Sequence, residues 1–174
     1  MEPKDLLLDA YGRIRENIHR ALDGLTAEEL AYRPEEHANS AAWLVWHLTR
    51  IQDDHVSEIA GEEQAWASGP WARRLGMQPD PSITGFGHTS EQVAAVRPDG
   101  PDVLLEYHDT VADRTARYLA TVTPDELDRV IDERYTPVVT VGVRLVSVIG
   151  DNTQHAGQAR YVRGIIERRL RGQR

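Results

Sequence analysis

Asp151 and His155 stand four residues apart in a stretch that carries no proline after Pro137. On a helix that spacing puts both side chains on one face, with Cβ atoms about 6 Å apart. One metal ion can then accept a carboxylate oxygen and an imidazole nitrogen, each at about 2.0–2.2 Å. The same spacing also gives a local hydrogen bond on a solvated face. His47 bears on the choice. It interrupts the apolar run Trp43-Leu-Val-Trp-His-Leu48, and a buried imidazole needs a partner, because desolvating it unpaired costs free energy. That partner is a backbone carbonyl, a water, or a metal shared with Asp151 and His155. Two histidines and a carboxylate from different helices of a bundle make an open divalent site. Three protein ligands leave a position free for water or substrate. Zinc is the first expectation for the ion, with nickel and iron as alternatives.

Other residues join this group as candidates. Asp54 follows His47 by seven residues and so returns near the same face, where it would serve as a general base or orient a ligand. His108 falls on the inward stripe of a later helix, as a substrate contact or as a core histidine. His88 sits in a glycine-rich loop, as a lid over the site or a cap on the next helix. His19, His37 and His55 read as surface or flanking residues. Gly157, without a side chain, would let another helix or a ligand approach. The four tryptophans read as packing residues.

Four long helices must position these residues. The first runs from Lys4 to Leu22, on the stripe Leu7, Tyr11, Ile14, Ile18, Leu22 and Leu25. The second starts at the N-cap residues Asn39 or Ser40 and ends near Gly61. The third spans Asp102 to Thr121. The last spans Thr140 to Arg171. Thr26-Ala-Glu-Glu29 and Thr123-Pro-Asp-Glu126 have the spacing of capping boxes, and their similarity suggests two helical hairpins in tandem. Tyr135-Thr-Pro-Val-Val139 reads as β-rich. Residues 62–100 are broken by prolines and glycines, apart from a short helix at Ser90–Val96. Trp66 and Trp71 make this segment an ordered crossover rather than a disordered one. The expectation is one all-α domain over residues 1–174, a four-helix bundle with a long crossover between the second and third helices.

Composition narrows the function. The chain has 174 residues, a net charge of −8 and no cysteine. It therefore has no disulfide, zinc–thiolate site or cysteine nucleophile of its own. The negative charge opposes binding to phosphate backbones. Arg160, Arg163, Arg168, Arg169, Arg171 and Arg174 cluster near the C-terminus, where cations favour a helix dipole, so no nucleic-acid partner is expected. No apolar run approaches the about 20 residues of a membrane span, and no signal-peptide pattern opens the chain. A cytoplasmic location is the expectation. Lys4 is the only lysine, and so strong an arginine bias fits a GC-rich, actinobacterial genome.

Taken together, several segments resemble the DinB-like superfamily of four-helix metalloproteins, in its mycothiol-dependent or uncharacterised branch. These are Asn39-Ser-Ala-Ala-Trp-Leu-Val-Trp-His-Leu48, Asp53-Asp-His55, Thr84-Gly-Phe-Gly-His-Thr89 and Asp151-Asn-Thr-Gln-His-Ala-Gly-Gln158. The resemblance implies metal ligands at His47, Asp151 and His155, with aspartate where histidine or glutamate is usual. It also implies a low-molecular-weight thiol, mycothiol or bacillithiol, as nucleophile or carrier. The first functional reading is a metal-dependent thiol S-transferase or isomerase acting on a small electrophile. The alternatives are a metal-dependent hydrolase with Asp54 as base, an iron oxygenase, and a non-catalytic small-ligand module, monomeric or homodimeric.

Overall fold

The computed structural model describes residues 2–171. Arg174 lies outside the described residues. Four long helices carry the fold: α1 (Pro3–Leu22), α3 (Ala41–Ala60), α7 (Asp102–Thr121) and α9 (Val141–Ile166). Short helices lie between them: α2 (Ala27–Ala31), α4 (Ala65–Ser68), α5 (Trp71–Arg74), α6 (Ser90–Ala94) and α8 (Pro124–Asp128). Each start that the sequence marks with a hydroxyl is capped by it. Ser40, Thr89 and Thr140 accept from the backbone N–H three residues on. Thr26 and Glu29 form a reciprocal box. Thr123 caps Glu126, but the Glu126 carboxylate does not return to Thr123. It binds Tyr118 and Arg129 instead. The likeness is local: α2 and α8 each follow a long helix and are entered through a threonine cap, but the expected tandem hairpins do not form, because α1 packs chiefly against α7 and α9 rather than against α3.

Helix α3 packs against α9 and α7, and α1 packs against the same two. Contacts fix the directions. His47 and Gln52 meet His155 and Asn152, so α3 and α9 are antiparallel. Arg50 and Gln52 meet Tyr107 and Thr115, so α3 and α7 run parallel. Twenty residues of helix span about 30 Å. A chain joining two parallel neighbours must retrace that length, and the 61–101 crossover does so.

The crossover lies over the outer side of α3, which is why α3 is buried nearly all round rather than along one stripe. Trp66 is fully buried, and its ring meets Trp46 and Tyr107. Helices α4 and α5 within the crossover carry no sequence signature that distinguishes them from loop.

The expected strand at 135–139 is displaced. Strands β1 (Val130–Asp132) and β2 (Val139–Thr140) pair antiparallel, and residues 135–138 form the turn between them. Two features bring the turn here: Pro137 has no N–H to give a ladder, and Asp132 holds both the backbone and the guanidinium of Arg134. The last helix also changes character after Ile166, continuing as a π-helical turn over Glu167–Arg171.

The bundle centre holds polar groups as well. Gln52 bridges Thr115 and Asn152. His108 is 1% exposed and bonds through Nδ1 to the hydroxyl of Thr49. Burial drives its imidazole from 6.5 down to about 4. Between those values the unfolded chain binds a proton that the folded chain refuses. Stability is therefore lost as pH falls through that window, by about 3 kcal/mol from this ring. His108→Asn keeps a donor for Thr49 and cannot titrate. Urea denaturation should show a shallower decline between pH 6.5 and pH 4 for this variant. Equal declines in the two proteins would refute the assignment.

Candidate metal centre

The α3–α9 groove brings the three expected residues together. His47, Asp151 and His155 each offer a ligand atom, and these atoms lie within 4.8 Å of one another. Among the described residues no other cluster of this kind is present. Asp151 and His155 sit one turn apart, with Oδ1 and Nε2 separated by 3.6 Å. His47 approaches from α3, with its ring 4.9 Å from that of His155 and nearly perpendicular to it.

Each imidazole is oriented from behind. His47 Nδ1 donates to the carbonyl of Thr84 at 2.6 Å. His155 Nδ1 donates to Gln158 Oε1 at 2.8 Å. Both rings then hold their lone pair on Nε2, the arrangement that metal-binding histidines use. Trp43 stacks on His47 at 4.7 Å, with ring planes 13° apart, and closes one side of the ring. Burial pushes the His47 imidazole below its ordinary pKa, which keeps the ring neutral. The neighbouring Asp151 carboxylate, 3.6 Å from Nε2, raises that of His155.

The crossover reaches His47 only because residue 85 is glycine. Its φ is +94°, and a Cβ there would lie 2.9 Å from His47 Nδ1 and 2.8 Å from the Trp46 ring. No neighbouring helix approaches Gly157, where a Cβ would meet open space. His88 belongs to the neighbourhood. It accepts from Trp43 Nε1 at 3.2 Å and stacks on Trp46, while Thr89 does the helix capping. Phe86, between Gly85 and Gly87, is 91% exposed beside this wall.

Asp54 and His108 are not brought to these three residues. Asp54 lies about 10 Å further along α3, where it accepts from Gln64 and burial raises its carboxyl pKa. His108, on α7, faces α3 and meets Thr49 there, two residues and so about half a turn round the helix from His47. His55 flanks the groove, bonded to Arg144. His37 is exposed, as expected, but His19 is tied to Asp109 across α1 and α7. Thr84, which acts through its carbonyl, carries no sequence signal for that role, whereas Gln158 continues the face of Asp151 and His155 by a step of three.

The donor set fits a divalent ion. It has two imidazoles and one carboxylate, and the second carboxylate oxygen of Asp151 is buried with no hydrogen-bond partner. A buried acceptor left open in this way is costly, and a cation satisfies it.

Comparison with known proteins adds to this geometry. A family model described as mycothiol-S-transferase matches residues 6–168. The fold is similar to a crystal structure of a conserved protein from Enterococcus faecalis, at a TM-score of 0.86 and 31% identity, covering 94% of this chain and 96% of that one. Among curated proteins, none matches.

Proposed function

Because the chain belongs to the mycothiol-S-transferase family, within the DinB-like proteins, we propose that it joins an external low-molecular-weight thiol, mycothiol first, to a small electrophile at His47, Asp151 and His155. The observation that carries the reading is the orientation of the two imidazoles, each anchored at Nδ1 with Nε2 left as the ligand atom. A divalent ion held there, zinc first, supplies the charge that keeps an arriving thiol ionised near neutral pH.

The chain's own residues do the rest. Asp151 offsets one of the two positive charges and leaves the centre net positive, which attracts a thiolate. Trp43 holds the plane of His47 and keeps water from that side. Phe86 offers apolar contact to the electrophile at the rim. The absence of cysteine means that the thiol comes from outside the chain. In the transfer the S–H bond breaks and its proton goes to solvent. Sulfur bonds to the electrophilic carbon, and the displaced group leaves with its electron pair. Asp54 and His108, held by Gln64 and Thr49, take no step in this reading. No helix of the described residues is long and apolar enough to cross a membrane, and a reducing cytoplasm is where such a thiol would be available.

The test is conjugation of a chlorinated aryl electrophile by zinc-loaded protein, with and without mycothiol. Conjugate should accumulate only with the thiol, Asp151→Ala should abolish it, and Asp54→Asn should retain it. Consumption of the electrophile at the same rate without any thiol would overturn the reading and make water the nucleophile.

A further inference from the structure

Arg50 has no exposed surface, although its guanidinium is charged. All of its nitrogens are engaged. Nε donates to the Ile83 carbonyl at 3.0 Å, and Nη2 donates to the Pro81 carbonyl at 2.9 Å and to Gln64 Oε1 at 2.7 Å. Nη1 donates to the Tyr107 hydroxyl and to Asp53. The Trp66 ring lies against the guanidinium carbon at 5.1 Å. Asp53 in turn accepts from the backbone N–H groups of Ala65 and Trp66. One buried ion pair therefore grips the crossover twice, at residues 64–66 and at residues 81–83.

The second grip ends one residue before Thr84, whose carbonyl receives the His47 Nδ1 proton. Between the Ile83 and Thr84 carbonyls lie only the φ and ψ of Thr84. Gly85 then packs against the His47 and Trp46 rings. Arg50 itself stands one helical turn after His47 on α3.

We infer that Arg50 is a positioning residue for His47: by holding the carbonyls of Pro81 and Ile83 it sets the Thr84 carbonyl, which decides the nitrogen of His47 that carries the proton. A planar fork is needed to hold two carbonyls, a side-chain amide, a phenol and a carboxylate together, and the compact ammonium of lysine does not reproduce it. The consequence for metal affinity rests on the metal reading above. The tautomer itself is a property of the metal-free protein.

The experiment reads both. Imidazole nitrogen shifts of metal-free protein, with His47 assigned by the signal lost in His47→Gln, report its tautomer. Competition with a chromophoric chelator reports zinc affinity. The wild type should show His47 as the Nδ1–H tautomer alone. Arg50→Lys should show a mixture, with zinc bound about 10- to 100-fold more weakly. Leu119→Ala, a truncation of the buried core elsewhere on α7, should lose stability yet keep the wild-type tautomer and affinity. Should Arg50→Lys fail to fold, Arg50→Met with Asp53→Leu leaves no lone buried charge, and the same two readouts apply. A folded variant of either kind with the wild-type tautomer overturns the inference, as does a Leu119→Ala protein that shifts as far as Arg50→Lys. A wild type that takes up no zinc overturns the metal reading instead, and the tautomer still decides the role of Arg50.

Discussion

His155→Ala is expected to weaken zinc binding by more than about 100-fold, beyond the about 10- to 100-fold that follows from losing a residue that only orients a ligand. The variant removes one of three ligand atoms and leaves Asp151 and His47 on different helices with nothing to complete the set. His47→Ala should match it. Gln158→Leu should fall inside the smaller range, because it frees the His155 ring to turn but leaves its nitrogens in place. This grading distinguishes a metal centre from a polar cluster, in which the three substitutions would have no ordered effect on zinc. Chelator competition on the purified variants measures it, and zinc affinity unchanged in His155→Ala would contradict the site.

The second large effect concerns stability. Asp53 is almost fully buried and accepts from Arg50, Tyr107, Ser57 and the N–H groups of Ala65 and Trp66. Asp53→Ala strands the Arg50 charge inside the protein and opens two backbone donors at the start of α4. Breaking a buried pair from one side costs about 3–5 kcal/mol, a large share of the about 5–15 kcal/mol that holds a domain folded. The urea midpoint should fall accordingly, with the slope unchanged. A loss below about 1 kcal/mol would show that solvent reaches Arg50 and that the grip on the crossover is weak.

Much of the scaffold was legible because its signals are local. Thr26, Ser40 and Thr123 all cap helices, and the stripe from Tyr11 to Leu22 faces the core. The grouping of His47, Asp151 and His155 was legible for the same reason. Asp151 and His155 are one turn apart, and His47 stands conspicuously in an apolar run. What remained hidden depends on the path of the crossover. No local pattern says that residues 61–101 fold over α3, so the burial of Arg50 and the reach of Thr84 to His47 could not be read from spacing. Misplaced glycines tell the same story: Gly157 lies in a helix and faces solvent, whereas Gly85 lies in a loop and makes the close approach. The β-rich run at 135–139 looked like a strand from residue type alone, and Pro137 with the Asp132–Arg134 pair turns it into a hairpin loop.

The central claim is that His47, Asp151 and His155 hold a divalent ion. Elemental analysis of protein purified without a histidine tag from metal-replete culture tests it most directly. One divalent ion per chain, lost in His47→Ala and in His155→Ala, is the result the structure predicts. Wild-type protein that carries no metal, and takes up no zinc when it is supplied, would contradict it.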